Sequence, residues 1–202
     1  MTSILKADEI QDSSGNLIIK EVANAITIGA SGDTITIPSG ATITNSGTAT
    51  GFGGITEADQ WRITANHTTS GTLTSNWERV DNTGFGYIGT GMSESSGVFT
   101  FPSTGFYAIR FTCQGTGVAN DNINGYIRVT VNDADWTSVA RANFSTTAGE
   151  FNTSSTEFLF DVTSVSTHKA RMRVDSIDSG SYAAGSTSES QTMVTFVRLG
   201  DT

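Results

Sequence analysis

The stretch from Gly97 to Phe111, Gly-Val-Phe-Thr-Phe-Pro-Ser-Thr-Gly-Phe-Tyr-Ala-Ile-Arg-Phe, restricts the fold more than any other part of the chain. It reads as two β-strand segments joined by a Pro-x-x-Gly turn. Pro102 cannot donate to a ladder and so ends the first segment. Gly105 relieves the turn before the second begins. That second segment alternates. Tyr107, Ile109, Phe111 and Cys113 point one way, and Ala108, Arg110 and Thr112 the other. An apolar row backed by a polar row is a strand with one wet face.

The same rhythm recurs through the second half of the chain. Gln60 to Ala65 carries Trp61 and Ile63 on one face, and Trp77 to Val80, Phe85 to Tyr87 and Val98 to Phe101 follow. Ile127, Val129 and Val131 alternate with Arg128 and Thr130. Phe158, Phe160 and Val162 alternate with Leu159 and Asp161, and Ala170, Met172 and Val174 alternate with Arg171 and Arg173. No stretch supports a long amphipathic helix. About ten short strands at this spacing predict an all-β, two-sheet sandwich. The run Met193–Leu199 differs from the rest. Met193, Thr195, Val197 and Leu199 face one way, and Val194, Phe196 and Arg198 the other, so both faces are largely apolar. One cover is the partner sheet of the sandwich; a neighbouring subunit could supply the second.

Upstream, the composition changes. Residues 1 to about 24 place Ile4, Leu5 and Ile10 before the polar turn Asp12-Ser-Ser-Gly-Asn16, then Leu17-Ile-Ile19, which predicts a β-hairpin. A helix over Leu5 to Gln11 would be barely two turns, too short to hold itself. Ala25–Ile28, Thr34–Ile37 and Ala41–Thr44 form a weak repeat of one short strand and one turn. Such strands bury too little to stand alone. Three chains wrapped about an axis would close a core. The alternative is a small meander packed on the following domain. Gly47 to Gly54 contains four glycines in eight residues and marks the boundary. The expected organisation is therefore an anchor and stalk over 1–54 and a head over 55–202.

The stretch Gly97-x-Phe-Thr-x-Pro-x-x-Gly-x-Tyr107 resembles the strand-pair signature of the C1q/TNF-like family. Trp77-Glu-Arg-Val-Asp-Asn-Thr-Gly84, with Phe85 and Tyr87, is similar to that family's second strand and turn. The closing run Thr192 to Gly200 sits where the family ends in an apolar strand, with Arg198 as a departure. The resemblance covers roughly residues 60 to 202. It implies a jelly-roll that assembles as a homotrimer. In that setting Phe85, Tyr87, Phe101, Tyr107, Ile109, Phe111, Val194 and Phe196 become head-core or trimer-contact residues. The opening Ser3 to Asn16, and the run Thr34 to Ile43, are similar to short fibre and decoration proteins of tailed bacteriophages. That likeness implies a virion component, made in the host cytoplasm, whose N-terminal Ile4, Leu5, Ile10, Leu17 and Ile19 grip other virion proteins. Its head would then point outward, toward a host receptor or glycan if the protein is a fibre. The alternative is a capsid decoration protein.

Charge and chemistry narrow the remaining classes. The chain carries 20 acidic and 11 basic residues, a net charge of −9. Nucleic-acid binding needs clustered Lys and Arg to displace counterions, so it is not expected as a function. The densest basic group is Lys169, Arg171 and Arg173 on one strand face, read as a solvated or intersubunit face. No apolar run reaches the ~18 residues that span a bilayer, and Met1 to Lys6 lacks the pattern of a signal peptide. A soluble protein is expected. The lone cysteine, Cys113, falls in the apolar row and reads as a small buried hydrophobe. The two histidines, His67 and His168, lie far apart in Ser- and Thr-rich settings, and no nucleophile elbow is present. Asp121 to Gly125 and Asp133 to Asp135 offer oxygen ligands but complete no calcium loop, and turn formation accounts for both equally well. No catalytic group, metal or cofactor is expected.

Overall fold

The computed structural model describes residues 8–23, 25–44, 54–118 and 122–202. The chain divides into two compact units, Met1–Ala49 and Thr50–Thr202. All regular structure among the described residues is β. No helix there is long and apolar enough to cross a membrane.

In the first unit, β1 (Glu9–Gln11), β2 (Leu17–Val22) and β3 (Ala25–Ile28) form an antiparallel sheet in chain order. Asp12 makes the first turn. Its carboxylate accepts from the backbone N–H of Ser14 and of Asn16, both at 2.8 Å. A hydrogen bond from the Asn16 side chain, followed by these backbone bonds, holds the Asp12 carboxyl below its ordinary pKa. The repeat behaves differently from expectation. Of the three units only Ala25–Ile28 forms a strand; Thr34–Ile37 and Ala41–Thr44 carry no regular structure. Four-residue segments separated by turns bury little on their own, and Ile35, Ile37 and Ile43 are exposed. Ile4, Leu5 and residues 47–53 of the glycine-rich connector lie outside the described residues.

The second unit contains β4 (Ala58–Ile63), β5 (Gly71–Thr72), β6 (Trp77–Arg79), β7 (Ser93–Ser95), β8 (Val98–Thr100) and β9 (Gly105–Thr116). After these come β10 (Asn122–Thr130), β11 (Thr137–Ser145), β12 (Asn152–Val162), β13 (Lys169–Asp175), β14 (Tyr182–Ala183) and β15 (Met193–Gly200). They make two antiparallel six-stranded sheets. One runs β11-β10-β13-β8-β7, with β5 beside β13. The other runs β12-β9-β15-β4-β6, with β14 beside β9.

The Pro-x-x-Gly turn joins β8 to β9, which belong to different sheets. It is a crossing and not a hairpin. Two features enforce it. Gly105 has φ +140°, and a side chain there would collide with the Gly200 carbonyl. Tyr107, fully buried, reaches back from β9 so that its hydroxyl donates to the Ser103 carbonyl at 3.1 Å. The motif therefore ends a strand, changes sheet and ties the turn to the core.

The core lies between the sheets. Phe99 meets Trp61 and Trp77 edge to face, with centroids 5.7 and 5.1 Å apart. Phe101 packs on Tyr107 at 4.7 Å and on Phe160 at 5.7 Å. Cys113 is buried there, and burial pushes its thiol pKa up to about 12.

Three local expectations are corrected. Phe85 to Tyr87 is not a strand; it lies in a loop flanked by Gly84 and Gly89, both at positive φ. Left-handed positions on either side interrupt a ladder. Val131 falls beyond the end of β10 and is exposed. The strand placed at Gln60 to Ala65 runs instead from Ala58 to Ile63.

Candidate functional site: an open sheet face

The predicted head residues separate into two groups. Phe101, Tyr107, Ile109, Phe111, Val194 and Phe196 are all buried in one cluster between the sheets. Phe85 is half-buried in its loop, and Tyr87 is 48 % exposed. Tyr87 is thus no core residue of the single chain. Its ring lies under the Arg79 guanidinium at 4.6 Å, and Trp61 lies under the same group at 4.9 Å. Of the anchor residues, Ile10 and Ile19 face each other across β1 and β2 and are exposed, and Leu17 is half-buried.

The alternation that buries Val194 and Phe196 turns Met193, Thr195 and Val197 outward. Strand register extends this row across the sheet. Leu159 on β12 pairs with Ala108 on β9, Ala108 with Val197 on β15, Val197 with Ala58 on β4, and Ala58 bridges to Ile88. The result is an apolar line across the open face, with Leu159 58 % and Ile88 48 % exposed. The adjacent line is polar. Glu157 pairs with Arg110, Arg110 with Thr195, and Thr195 with Gln60, whose side-chain amide donates to the Thr195 hydroxyl at 2.9 Å. Between the two lines is a shallow depression of about 430 Å³, lined by Gln60, Ala108, Arg110, Glu157, Met193 and Val197.

Polar groups at the β4–β6 side hold this face in place. Asp59 is buried and accepts from the Trp61 indole N–H at 2.9 Å, the Met92 N–H at 2.8 Å and the Arg79 guanidinium at 3.1 Å. Arg62 is fully buried on the other side of β4. It pairs with Glu78 at 3.1 Å and Asp81 at 2.5 Å, and it donates to the Asn82 side chain and the Thr187 carbonyl. Removing Arg79 would leave the buried Asp59 carboxylate without its cation, which costs about 3–5 kcal/mol. Arg198, the departure from the family pattern, ties β15 to the sheet-changing turn. Its Nε donates to the Thr104 carbonyl at 2.8 Å, Nη1 donates to the Thr56 hydroxyl at 3.0 Å, and Nη2 pairs with Asp201.

Sequence reasoning identified the outward row of β15 but not its continuation. The signal was present in Leu159, an apolar residue on the polar side of a strand; register supplied the rest. Sequence reasoning also did not find the Asp59 and Arg62 networks, since alternation says nothing of a charged residue covered by distant loops.

The structure places the two histidines apart, each with its own surroundings. His168 stacks on Phe160 at 5.6 Å, and its ring nitrogens sit beside the Thr163 and Thr167 hydroxyls. His67 is half-buried on the other strand system, bridged through its backbone to Ala183, and burial lowers its pKa. Among the described residues, no three His, Cys, Asp or Glu side chains gather to hold a metal. In the Asp133 to Asp135 turn, the Asn132 side-chain oxygen accepts from the N–H groups of Ala134 and Asp135, at 3.1 and 2.8 Å. Asp121 lies outside the described residues.

No family model matches the sequence. No curated protein matches it either. Solved structures do. Murine APRIL at pH 5.0 is similar over 71 % of this chain and 98 % of its own, at 14 % identity and a TM-score of 0.53. Eiger TNF from S. frugiperda is similar over 72 % of this chain and 93 % of its own, at 12 % identity and a TM-score of 0.55. At such identities the likeness concerns architecture alone, and that architecture is an all-β, TNF-like jelly roll.

Proposed function

We propose that the chain is a non-enzymatic homotrimer on a virion surface: a short bacteriophage fibre with its N-terminal segment on the particle and its jelly-roll head displayed outward for host adhesion. The observation that carries self-association is the apolar line Leu159, Ala108, Val197, Ala58 and Ile88 across an otherwise open sheet face. A face of this kind on a soluble chain calls for a cover, and identical chains supply one symmetrically. The isoleucines left exposed in the first unit support the same reading, because repeated short segments gain partners only from neighbouring copies. The virion assignment rests on the likeness of Ser3 to Asn16 to phage fibre and decoration proteins.

Sedimentation equilibrium at micromolar concentration tests the assembly. The 202-residue chain is expected at three times its mass of 21.2 kDa. Val197→Asp, which places a carboxylate mid-line, is expected to yield a folded species of lower mass. A wild-type monomer, or an unaltered trimer in the variant, would refute the interface. The same series separates the virion role: protein lacking residues 1–24 should remain trimeric but fail to join particles. Copy number per particle then distinguishes the two virion roles, since a handful of trimers marks a fibre and hundreds mark capsid decoration.

A further inference from the structure

The opposite sheet has its own open face, and its charge is anomalous. The chain is acidic overall, at −9. Yet Arg128 on β10, Arg141 on β11 and Lys169, Arg171 and Arg173 on β13 come together on this one surface. Register sets Arg128 beside Arg171, and Tyr126 between Arg141 and Arg173. Among the described residues, Arg173 is the one of them paired with a carboxylate, that of Asp175 at 2.6 Å. Lys169 donates to the Val165 carbonyl, and Arg128 donates to the Trp136 carbonyl at 2.6 Å. The Arg171 guanidinium stacks over the Trp136 ring at 4.0 Å. The Nε atoms of Arg128 and Arg171 are buried without a hydrogen-bond partner. Burial, and then the neighbouring charges of Arg128 and Arg173, depress the Arg171 pKa.

Like charges at adjacent register positions oppose folding. By contrast, three of the other sheet's cations, Arg62, Arg79 and Arg198, each hold a carboxylate, and the fourth, Arg110, lies opposite Glu157 in the register. The uncompensated positive charge is thus gathered where stability alone would disperse it. Beside it, Tyr126, Ser138 and Arg141 line a shallow depression of about 270 Å³. An aromatic ring, a hydroxyl and fixed guanidinium forks are the groups that recognise a sugar bearing an acidic substituent. A nucleic acid fits less well. Its charge density is high and continuous, and the remaining surface of this protein repels it.

We propose that the open face of the β10–β13 sheet binds an anionic polysaccharide, with Arg128, Arg141, Lys169 and Arg171 contacting its acidic groups and Tyr126 its sugar rings. The inference deepens the adhesion reading, on which it rests only for the outward presentation of this face. It can fail or hold independently of trimer formation.

The test is a titration of the purified full chain with labelled polygalacturonate, dextran sulfate and neutral dextran at low and physiological salt. One or both acidic polymers are expected to bind, with affinity falling as salt rises, and dextran is not. Arg128→Gln with Arg171→Gln should weaken binding by about tenfold or more, given the strength of charged hydrogen bonds. Arg141→Gln, at an exposed position and thus compatible with folding, should weaken it by a few-fold. Arg110→Gln, on the opposite sheet, should leave it unchanged. Absence of binding, equal binding by the variants, or displacement by a short DNA oligonucleotide at equal charge would overturn the proposal. So would a change in sedimentation mass of the Arg128/Arg171 variant with binding retained, which would assign these cations to a contact between chains.

Discussion

Phe111 and Gly125 form a pair whose energetics can be worked from their positions. Phe111 is 1 % exposed, at the centre of the inward row of β9. Gly125 faces it from β10. A methyl group on Gly125 would stand 3.0 Å from the Phe111 ring and 3.2 Å from the Cys113 Cβ. Phe111→Ala should therefore cost about 3–5 kcal/mol, toward the upper end, because glycine has no side chain to move into the void. Gly125→Ala alone overpacks the same space and should cost about 1–3 kcal/mol. In the Phe111→Ala background its sign should reverse. The new methyl fills part of the cavity, worth about 0.8 kcal/mol, and alanine is better than glycine within a strand by about 0.5–1 kcal/mol. A double-mutant cycle by urea unfolding at fixed protein concentration reads the coupling directly, expected at about 2–5 kcal/mol. Arg110→Ala, one residue along and outward, serves as control and should stay within about 0.5 kcal/mol. If Gly125→Ala destabilised both backgrounds equally, the contact between β9 and β10 across the core would be wrong.

Two further outcomes follow from buried titratable groups. Burial lowers the His67 pKa below its ordinary 6.5, and its Nε2 has no hydrogen-bond partner; stability should be flat above pH 6.5 and fall as pH drops from there through the lowered folded value, since only the unfolded chain accepts the proton readily. Thermal melts of His67→Gln should lose that slope, and an unchanged slope would exonerate the histidine. Cys113, with its thiol pushed to about 12, should resist thiol reagents at pH 8 in the native protein and react fully in denaturant; rapid native labelling would mean that β9 opens readily.

The parts of this fold that the sequence exposes are those where alternation is strong. β9, β13 and the end of β12 each set aromatic or branched residues against charged ones, and each lies where its pattern predicts. β11, Thr137–Ser145, is not legible, because apart from Phe144 and Val139 its inward positions are small alanines, and its outward ones are polar, as suits a sheet edge. Phe85 and Tyr87 mimic a strand by aromatic spacing alone, while backbone handedness at the flanking glycines decides otherwise. The open apolar line was half legible. Its β15 portion follows from one strand, but the partners Leu159 and Ala58 are set by the pairings Leu159–Ala108 and Val197–Ala58, 51 and 139 residues apart in sequence, which no local pattern encodes. The cation cluster was seen as three residues on β13, and its junction with Arg128 and Arg141 needed the register.

The sheet-changing turn has a consequence for how the molecule comes into being. Because β8 and β9 do not pair, β9 must wait for β12 and β15, and β15 inserts between β9 and β4. A ribosome completes β4 and β9 long before it delivers the strand that joins them. Until then each presents a bare edge, the kind of surface that recruits foreign strands. Assembly of this sheet is therefore dominated by distant pairings and is intrinsically slow. A nascent chain halted before Met193 would hold two half-sheets with matching gaps, and another copy's β15 could enter either of them. Chains translated close together on one message would meet in that state, so the step that closes one jelly roll is also the step most open to exchange with its neighbours.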